Sequence, residues 1–324
     1  MGTLRKTDVR GYHQLWAPPA PSVKMHFGRV TAADVPRFSP MLHSAATRSC
    51  DFTAGGIFMW ADYFRYEAAV QDGTLFISGL SQDASRIPSF LLPVGDMPLE
   101  QAVELLRAHC RASGRPLLIS AVPEDRLPEL LPLGVVRVDE LGDWADYVYR
   151  ADDLSALAGK AYSKKRNHVH RFEADNPGAV LETLTMANAA EAAAFLQNHD
   201  MQSEKANPVM AAYERDRCLD VLRDYTAYPF EGVVLRGGDG RIVAFSIGEL
   251  SGDTLIVHVE KMDHAVSGAG EAINCYFARY MLDRHPELVY INREDDSGDP
   301  GLRFAKESYH PAFLLRKYNV VLTI

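Results

Sequence analysis

One order of elements occurs twice along this chain, and that repetition constrains the fold more than any single motif. From residue 25 a short strand leads into a helix opened by Thr31, with Asp34 three residues on, the spacing of a capping box. Strand-like runs at 66–70, 74–79 and 89–93 follow, and Asp72-Gly73 between the first two is a hairpin signal. Leu99, Val103, Leu106 and Cys110 then recur at helical spacing after Pro98, and Gly114 ends that helix. PLLISAV, RLPELLP and VVRVDEL supply a strand, a short helix and a strand. The second half opens with helices at 189–197 and 208–225, the latter with Asn207 as its cap and Pro208 at its first position. Strands EGVVLRG, IVAFSIGEL and TLIVHVEK follow, separated by glycine-bearing turns at 237–240 and 251–253. A helix at 270–284, the strand LVYINRE, a helix at 300–308 and the strand FLLRKYNVVLTI complete the chain.

Both halves therefore read as helix, antiparallel strands, helix, strand, helix, strand, although no residue-level repeat accompanies the order. With 324 residues available, two α+β domains are expected, at 25–150 and 179–324, joined by a basic connecting helix at 151–178. Residues 1–24 end in a proline-rich stretch, lack the apolar core of a signal peptide, and read as a flexible extension.

A formal charge of −9 argues against a surface that binds nucleic acid throughout, but it leaves room for a local patch. Lys160, Lys164, Lys165, Arg166 and Arg171 fall within twelve residues that contain no acid, with Asn167, His168 and His170 among them. As a helix, this segment puts Tyr162, Val169 and Phe172 on one stripe and Lys164, His168 and Arg171 on another. It is either a solvated linker or a face placed to meet phosphate. The four cysteines show no metal-ligand spacing, so reduced, buried thiols in a cytoplasmic protein without a bound metal are expected. No apolar run reaches the 18 or so residues of a membrane span.

After TLIVHVEK, the small residues Ser267, Gly268, Ala269 and Gly270 open a helix, a layout that suits an anion. Strand, small-residue loop, helix, strand, and then a helix ending near Tyr309 resemble the core of the GNAT acyltransferase fold, whose corresponding loop grips the pyrophosphate of acyl-coenzyme A. Here Asp263 and His264 stand where that loop usually begins with Gln or Arg. A closer likeness lies in YSKKRNHVHRF, HVEK, AIN, YINREDDSGDPGLRFAKESYHP and LLRKY. Together these resemble the phosphatidylglycerol lysyltransferase C-terminal-domain family over roughly residues 147–318. The resemblance implies two tandem GNAT-like domains, each a mixed, mainly antiparallel sheet flanked by helices. It also implies kinship with the aminoacyltransferases that build peptidoglycan cross-bridges, and an aminoacyl-tRNA donor. The sequence lacks the membrane enzyme's transmembrane helices, so lipid modification is not carried over.

Acyl or aminoacyl transfer to an amine or hydroxyl acceptor is thus expected, from acyl-coenzyme A or aminoacyl-tRNA. A non-catalytic module that binds coenzyme A, a nucleotide or RNA is the rival. Glu260, at the end of its strand, is placed to deprotonate an attacking amine, and His258, two residues earlier, is expected on the same strand face. Tyr309 is the candidate proton donor to the leaving group. Lys164, Lys165, Arg166, Asn167, the 267–270 turn, Arg303 and Lys306 are candidates for holding donor phosphates. Asn292, Arg293, Glu294, Asp295 and Asp299, at the end of the YINRE strand, are candidates for orienting the acceptor. Each has a structural alternative: solvated acids, a core histidine, a buried tyrosine, or an Arg303–Glu307 helix pair.

Overall fold

The computed structural model describes residues 25–199 and 208–324, so the 1–24 extension and the Asn207 cap lie outside the described residues. The first half contains β1 (Gly28–Arg29), α1 (Val35–His43), α2 (Ala54–Phe58), β2 (Glu67–Gln71), β3 (Thr74–Leu80), β4 (Pro88–Phe90) and β5 (Val94–Gly95). It continues through α3 (Leu99–Ser113), β6 (Leu117–Pro123), α4 (Leu127–Leu130), β7 (Val135–Glu140) and β8 (Asp146–Arg150). The middle of the chain supplies α5 (Ala151–Ala156), α6 (Ser163–Asp175), β9 (Val180–Thr183), α7 (Met186–His199) and α8 (Pro208–Arg223). Last come β10 (Phe230–Arg236), β11 (Ile242–Ser251), β12 (Thr254–Met262), α9 (Ala269–Arg284), β13 (Tyr290–Asn292), α10 (Pro300–Glu307), β14 (Phe313–Leu315) and β15 (Lys317–Leu322).

These strands form two mixed sheets, in the orders β1-β2-β3-β4-β6-β15-β7, with β5 beside β3, and β14-β8-β13-β12-β11-β10-β9. Pairing is antiparallel except at β4–β6 and β12–β13, the parallel junctions closed by the crossovers through α3 and α9. The capping box forms: the Asp34 carboxylate accepts from the Thr31 backbone N–H at 3.0 Å and from its hydroxyl at 2.8 Å, ahead of α1. One core lies between the first sheet and α1–α3. The second sheet is covered on both faces, by α5, α6 and α9 on one and by α7 and α8 on the other.

A boundary at residue 150 does not divide the strands. β8, from the first half, joins the second sheet between β13 and β14, while β15, from the chain's end, enters the first sheet between β6 and β7. The run FLLRKYNVVLTI is therefore two strands, broken at Arg316 and shared between the sheets. The connecting segment also differs from expectation, being two helices rather than one. Leu157 and Gly159 take left-handed backbone (φ 48° and 78°), which ends α5 before α6 begins. Tyr162, Val169 and Phe172 are buried as the helical spacing requires. All four cysteines are buried thiols that form no disulfide.

Candidate functional site

Glu249 sits in β11 and His258 in β12, whose pairing slips between Ile247↔Val259 and Gly248↔Val257, leaving His258 as the extra, bulged residue. A bulge reverses the strand's alternation, so Leu255 and Val257 pack under α9 whereas Val259 packs under α7 and α8. This overturns the expectation that His258 and Glu260 share a face. His258 instead lies between two other carboxylates: Nδ1 is 2.7 Å from Glu294 Oε1 and Nε2 is 3.3 Å from Glu249 Oε2. Glu249 also accepts from the backbone of Ala54 and Gly55, at 3.0 and 2.9 Å, and from His43 Nε2 at 2.9 Å. Glycine at 55 is a packing requirement, because a Cβ there would lie 2.2 Å from the His258 ring.

Burial alone would lower the His258 pKa, but hydrogen bonds and charge from Glu249 and Glu294 outweigh it and hold the imidazole at about 9. Burial pushes Glu249 the other way, and His258 and His43 more than offset it, leaving that carboxylate at about 2. Because the folded His258 pKa is raised, its contribution to stability is complete below the ordinary value of 6.5 and is lost as pH rises through about 9. We expect the unfolding free energy to fall by roughly 3 kcal/mol across that window, in urea titrations at a series of pH values. His258→Gln should flatten the dependence; an equally steep profile in that variant would assign it to another group.

Glu294 is held in strained backbone, with φ 58°, its N–H donated to Asn292 Oδ1 at 2.7 Å. The loop that follows is braced throughout. The Lys306 ammonium donates to the carbonyls of Arg293, at 2.6 Å, and Asp295. Arg303 forks onto Asp296 at 2.8 Å and reaches Asp143 at 2.9 Å, and Tyr147 donates to Asp296 at 2.7 Å. Asp299 caps α10 by accepting from Gly301 and Leu302. Arg303, Lys306 and Asp299, expected to hold ligand, thus also hold the loop. Arg303 pairs with Asp296 and Asp143 rather than with Glu307. Burial lifts the Asp295 carboxyl to about 6 against the pull of Lys317 and Lys306.

Glu260 has both oxygens engaged, Oε1 by Arg293 at 2.7 Å and Oε2 by Asn274 at 3.2 Å. Tyr309 is buried, and its ring lies under the Arg293 guanidinium at 4.9 Å and the Lys165 ammonium at 3.9 Å. Burial raises its phenol well above the ordinary range. Lys165 pairs with Glu271 at 3.6 Å, and Arg166 donates to the carbonyls of Leu157 and Gly159, closing the turn before α6. Lys164 and Asn167 are exposed. The 267–270 turn is packed against α6: a Cβ at Gly268 (φ 79°) would lie 2.1 Å from the His168 carbonyl oxygen. Within it Ala269 N donates to Val266 O, and on either side Ala265 N donates to Asp263 Oδ1 and Ala272 N to Gly268 O.

Between the sheets lies a cavity of about 710 Å³, whose walls include His258, Glu260, Arg293, Glu294, Asp295 and Lys306. The structure so brings one strand end, one loop and one helix face to a single space, and leaves Lys164, Asn167 and the 267–270 turn outside its walls. Several contributors escaped sequence reasoning. Lys317 is fully buried between Asp51 (2.6 Å) and Asp146 (2.7 Å), with Cys50 Sγ at 3.3 Å. Asn292 Nδ2 donates to Asp146 at 2.9 Å. Ligand atoms of Cys50, Asp146 and Asp295 lie within 4.8 Å of one another, and the Lys317 ammonium already bonds the first two of these residues. The available signal was a charge set against apolar strand residues: Glu249 alone in IVAFSIGEL, Asp146 at the head of DYVYR, and Lys317 beside Arg316 in LLRKYNVVL.

Two interlocked mixed sheets, with a carboxylate–imidazolium–carboxylate chain opening on the cavity between them, define an α+β protein equipped for acid–base chemistry. The chain belongs to the phosphatidylglycerol lysyltransferase C-terminal family, whose model matches residues 43–321. Among solved structures it is similar to a conserved protein of unknown function from Bacteroides thetaiotaomicron, at 28% identity and TM-score 0.79, over 92% of this chain and 100% of that one. It is similar in fold to L-PGS from Bacillus licheniformis, at 13% identity and TM-score 0.58, over 79% and 84%. FemX gives the same TM-score, 0.58, at 10% identity over 92% and 98%. No curated protein matches. Among the described residues no helix is long and apolar enough to cross a membrane.

Proposed function

We propose that this protein is an aminoacyltransferase that moves an aminoacyl group from aminoacyl-tRNA to an amine or hydroxyl acceptor in the cavity between two GNAT-like units. The observation that carries the reading is the buried Glu249–His258–Glu294 chain ending at the cavity wall. Membership in a family named for a lysyl transfer supports the reaction class. The parallel junction behind a helical crossover in each sheet supports the tandem GNAT-like architecture.

Between the two donors, the turn at 263–268 favours tRNA. α6 packs directly on its Gly268, at the His168 carbonyl, which leaves little room there for a pyrophosphate. The exposed Lys164, Asn167, His168, His170 and Arg171 on α6 give a basic face suited to RNA phosphates. In the reaction, the acceptor's nucleophile attacks the ester carbonyl while its proton passes to Glu294, and that proton then leaves with the ribose oxygen. His258 and Glu249 are positioning residues for that carboxylate. Glu260, with both oxygens occupied, instead orients Arg293 at the wall.

The full chain, incubated with tRNA charged with labelled amino acids and a panel of amine and hydroxyl acceptors, should move label from tRNA to acceptor and leave acetyl-coenzyme A unconsumed. Consumption of acetyl-coenzyme A with charged tRNA untouched would overturn the donor assignment. Equal binding of charged and uncharged tRNA without transfer would make the protein a binding module instead.

A further inference from the structure

The first sheet ends at β1 and β7, the second at β14 and β9. The strands β1, β14 and β9 are short, at 2, 3 and 4 residues, whereas β7 runs for 6. An edge strand of that length leaves a row of backbone donors and acceptors that pair readily with another strand. Among the described residues β7 pairs with β15 alone, in unbroken register from Arg137↔Val321 to Glu140↔Tyr318, with the extra residue of a bulge at Val136. Leu141 N–H donates to the Lys317 carbonyl at 2.8 Å, and the antiparallel ladder alternates from there. Arg137 and Asp139 therefore bond toward β15, while the N–H and C=O groups of Val138 and Glu140 point away from the sheet.

The side chains of this strand are open as well. Val136 is 62% exposed and Val138 38%, and Arg137, Asp139 and Glu140 are exposed. Val138 stands opposite Val320, a fully buried residue of the first core, so its side chain lies at that core's rim. Arg137 and Asp139 share the other face, in an exposed ion pair at 2.7 Å. Charges on an edge ordinarily keep it single, but these are self-complementary about Val138. When two copies of β7 lie antiparallel with Val138 against Val138, Arg137 of each stands opposite Asp139 of the other, in the closely spaced, non-hydrogen-bonded positions. Sliding the pair by two residues sets Asp139 against Asp139 or Arg137 against Arg137, and sliding it by one takes the free backbone groups out of line.

We propose that β7 is an interface between two copies of this chain, an isologous antiparallel pairing centred on Val138 that continues the first sheet across a two-fold axis. The occupant is a second copy because the charge pattern reads the same from both sides, which a foreign strand has no need to match. Pairing satisfies the outward backbone groups of Val138 and Glu140, covers the Val138 side chains, and gives each Arg137 a carboxylate from the other copy. The strand lies outside the cavity walls, so the interface does not rest on the transfer reaction.

Analytical ultracentrifugation of the full chain should show a monomer–dimer equilibrium between about 1 and 100 µM. Arg137→Asp opposes carboxylates at both contacts and Asp139→Arg opposes guanidinium groups, so each variant should dimerise about ten-fold more weakly or worse. Both side chains are well exposed, so neither substitution touches the core. An equimolar mixture of the two variants regains opposite charges at both contacts and should dimerise like the parent chain, as should the variant carrying both substitutions. Val138→Pro removes a central N–H that β15 does not use, and should give a monomer with an unchanged far-UV circular dichroism spectrum. A parent chain that stays monomeric to about 100 µM overturns the proposal. So does a dimer that neither charge substitution weakens, or a weakened pair of variants that does not recover on mixing, since the contact is then another surface. Either result leaves transfer from charged tRNA as a separate question.

Discussion

Lys317→Met is expected to lower the unfolding free energy by about 3–5 kcal/mol, read as a shift of the urea midpoint with little change in slope. The ammonium is fully buried and makes contacts of 2.6 Å to Asp51 and 2.7 Å to Asp146, both themselves buried. Removing it leaves two carboxylates in a region with little water, and repulsion between them adds to their desolvation. Methionine fills the volume, so the loss reports charge rather than a cavity. The contact also pins the two sheets, since Lys317 belongs to β15 of the first and Asp146 to β8 of the second. Adding Asp51→Asn and Asp146→Asn to the methionine variant should recover a large part of the loss, because the buried charges go together. A single variant within about 1 kcal/mol of the parent would show that water reaches the cluster and that it does not pin the sheets.

Glu294→Gln is expected to reduce the transfer rate by about 10²–10⁴-fold, with a much smaller effect on binding of charged tRNA. The substitution keeps size and a hydrogen-bond acceptor for His258, but removes the proton-accepting carboxylate at the cavity wall. Glu260→Gln should cost less, because it weakens the seating of Arg293 without removing the base. The order of the two variants is the decisive reading. If Glu260→Gln is the more damaging and Glu294→Gln retains near-parental kcat, the base is Glu260. The Glu249–His258–Glu294 chain would then serve only to join β11, β12 and the loop after β13.

The stretch from TLIVHVEK to LLRKY was informative in the sequence because its local grammar is strong. A proline-opened helix with an aspartate cap, a glycine at positive φ before α9, and a dense polar loop after β13 all formed where residue type required them. The role given to the 267–270 turn depended on what packs against it, and α6 covers it. The pairing of His258 with Glu260 depended on unbroken alternation, which one bulged residue reversed.

The sequence by itself determined the order of most elements, the α+β class, the buried stripe of α6 and the family. These follow from interactions within a few residues, where propensity, capping and periodicity act. The tertiary structure alone decided which charges meet. His43 and Glu249 are 206 positions apart, and Cys50 and Lys317 are 267 apart. Whether such groups become partners depends on which sheet a strand enters. For β8 and β15, that choice is made by burial and register summed over the whole molecule rather than by the strands' own residues.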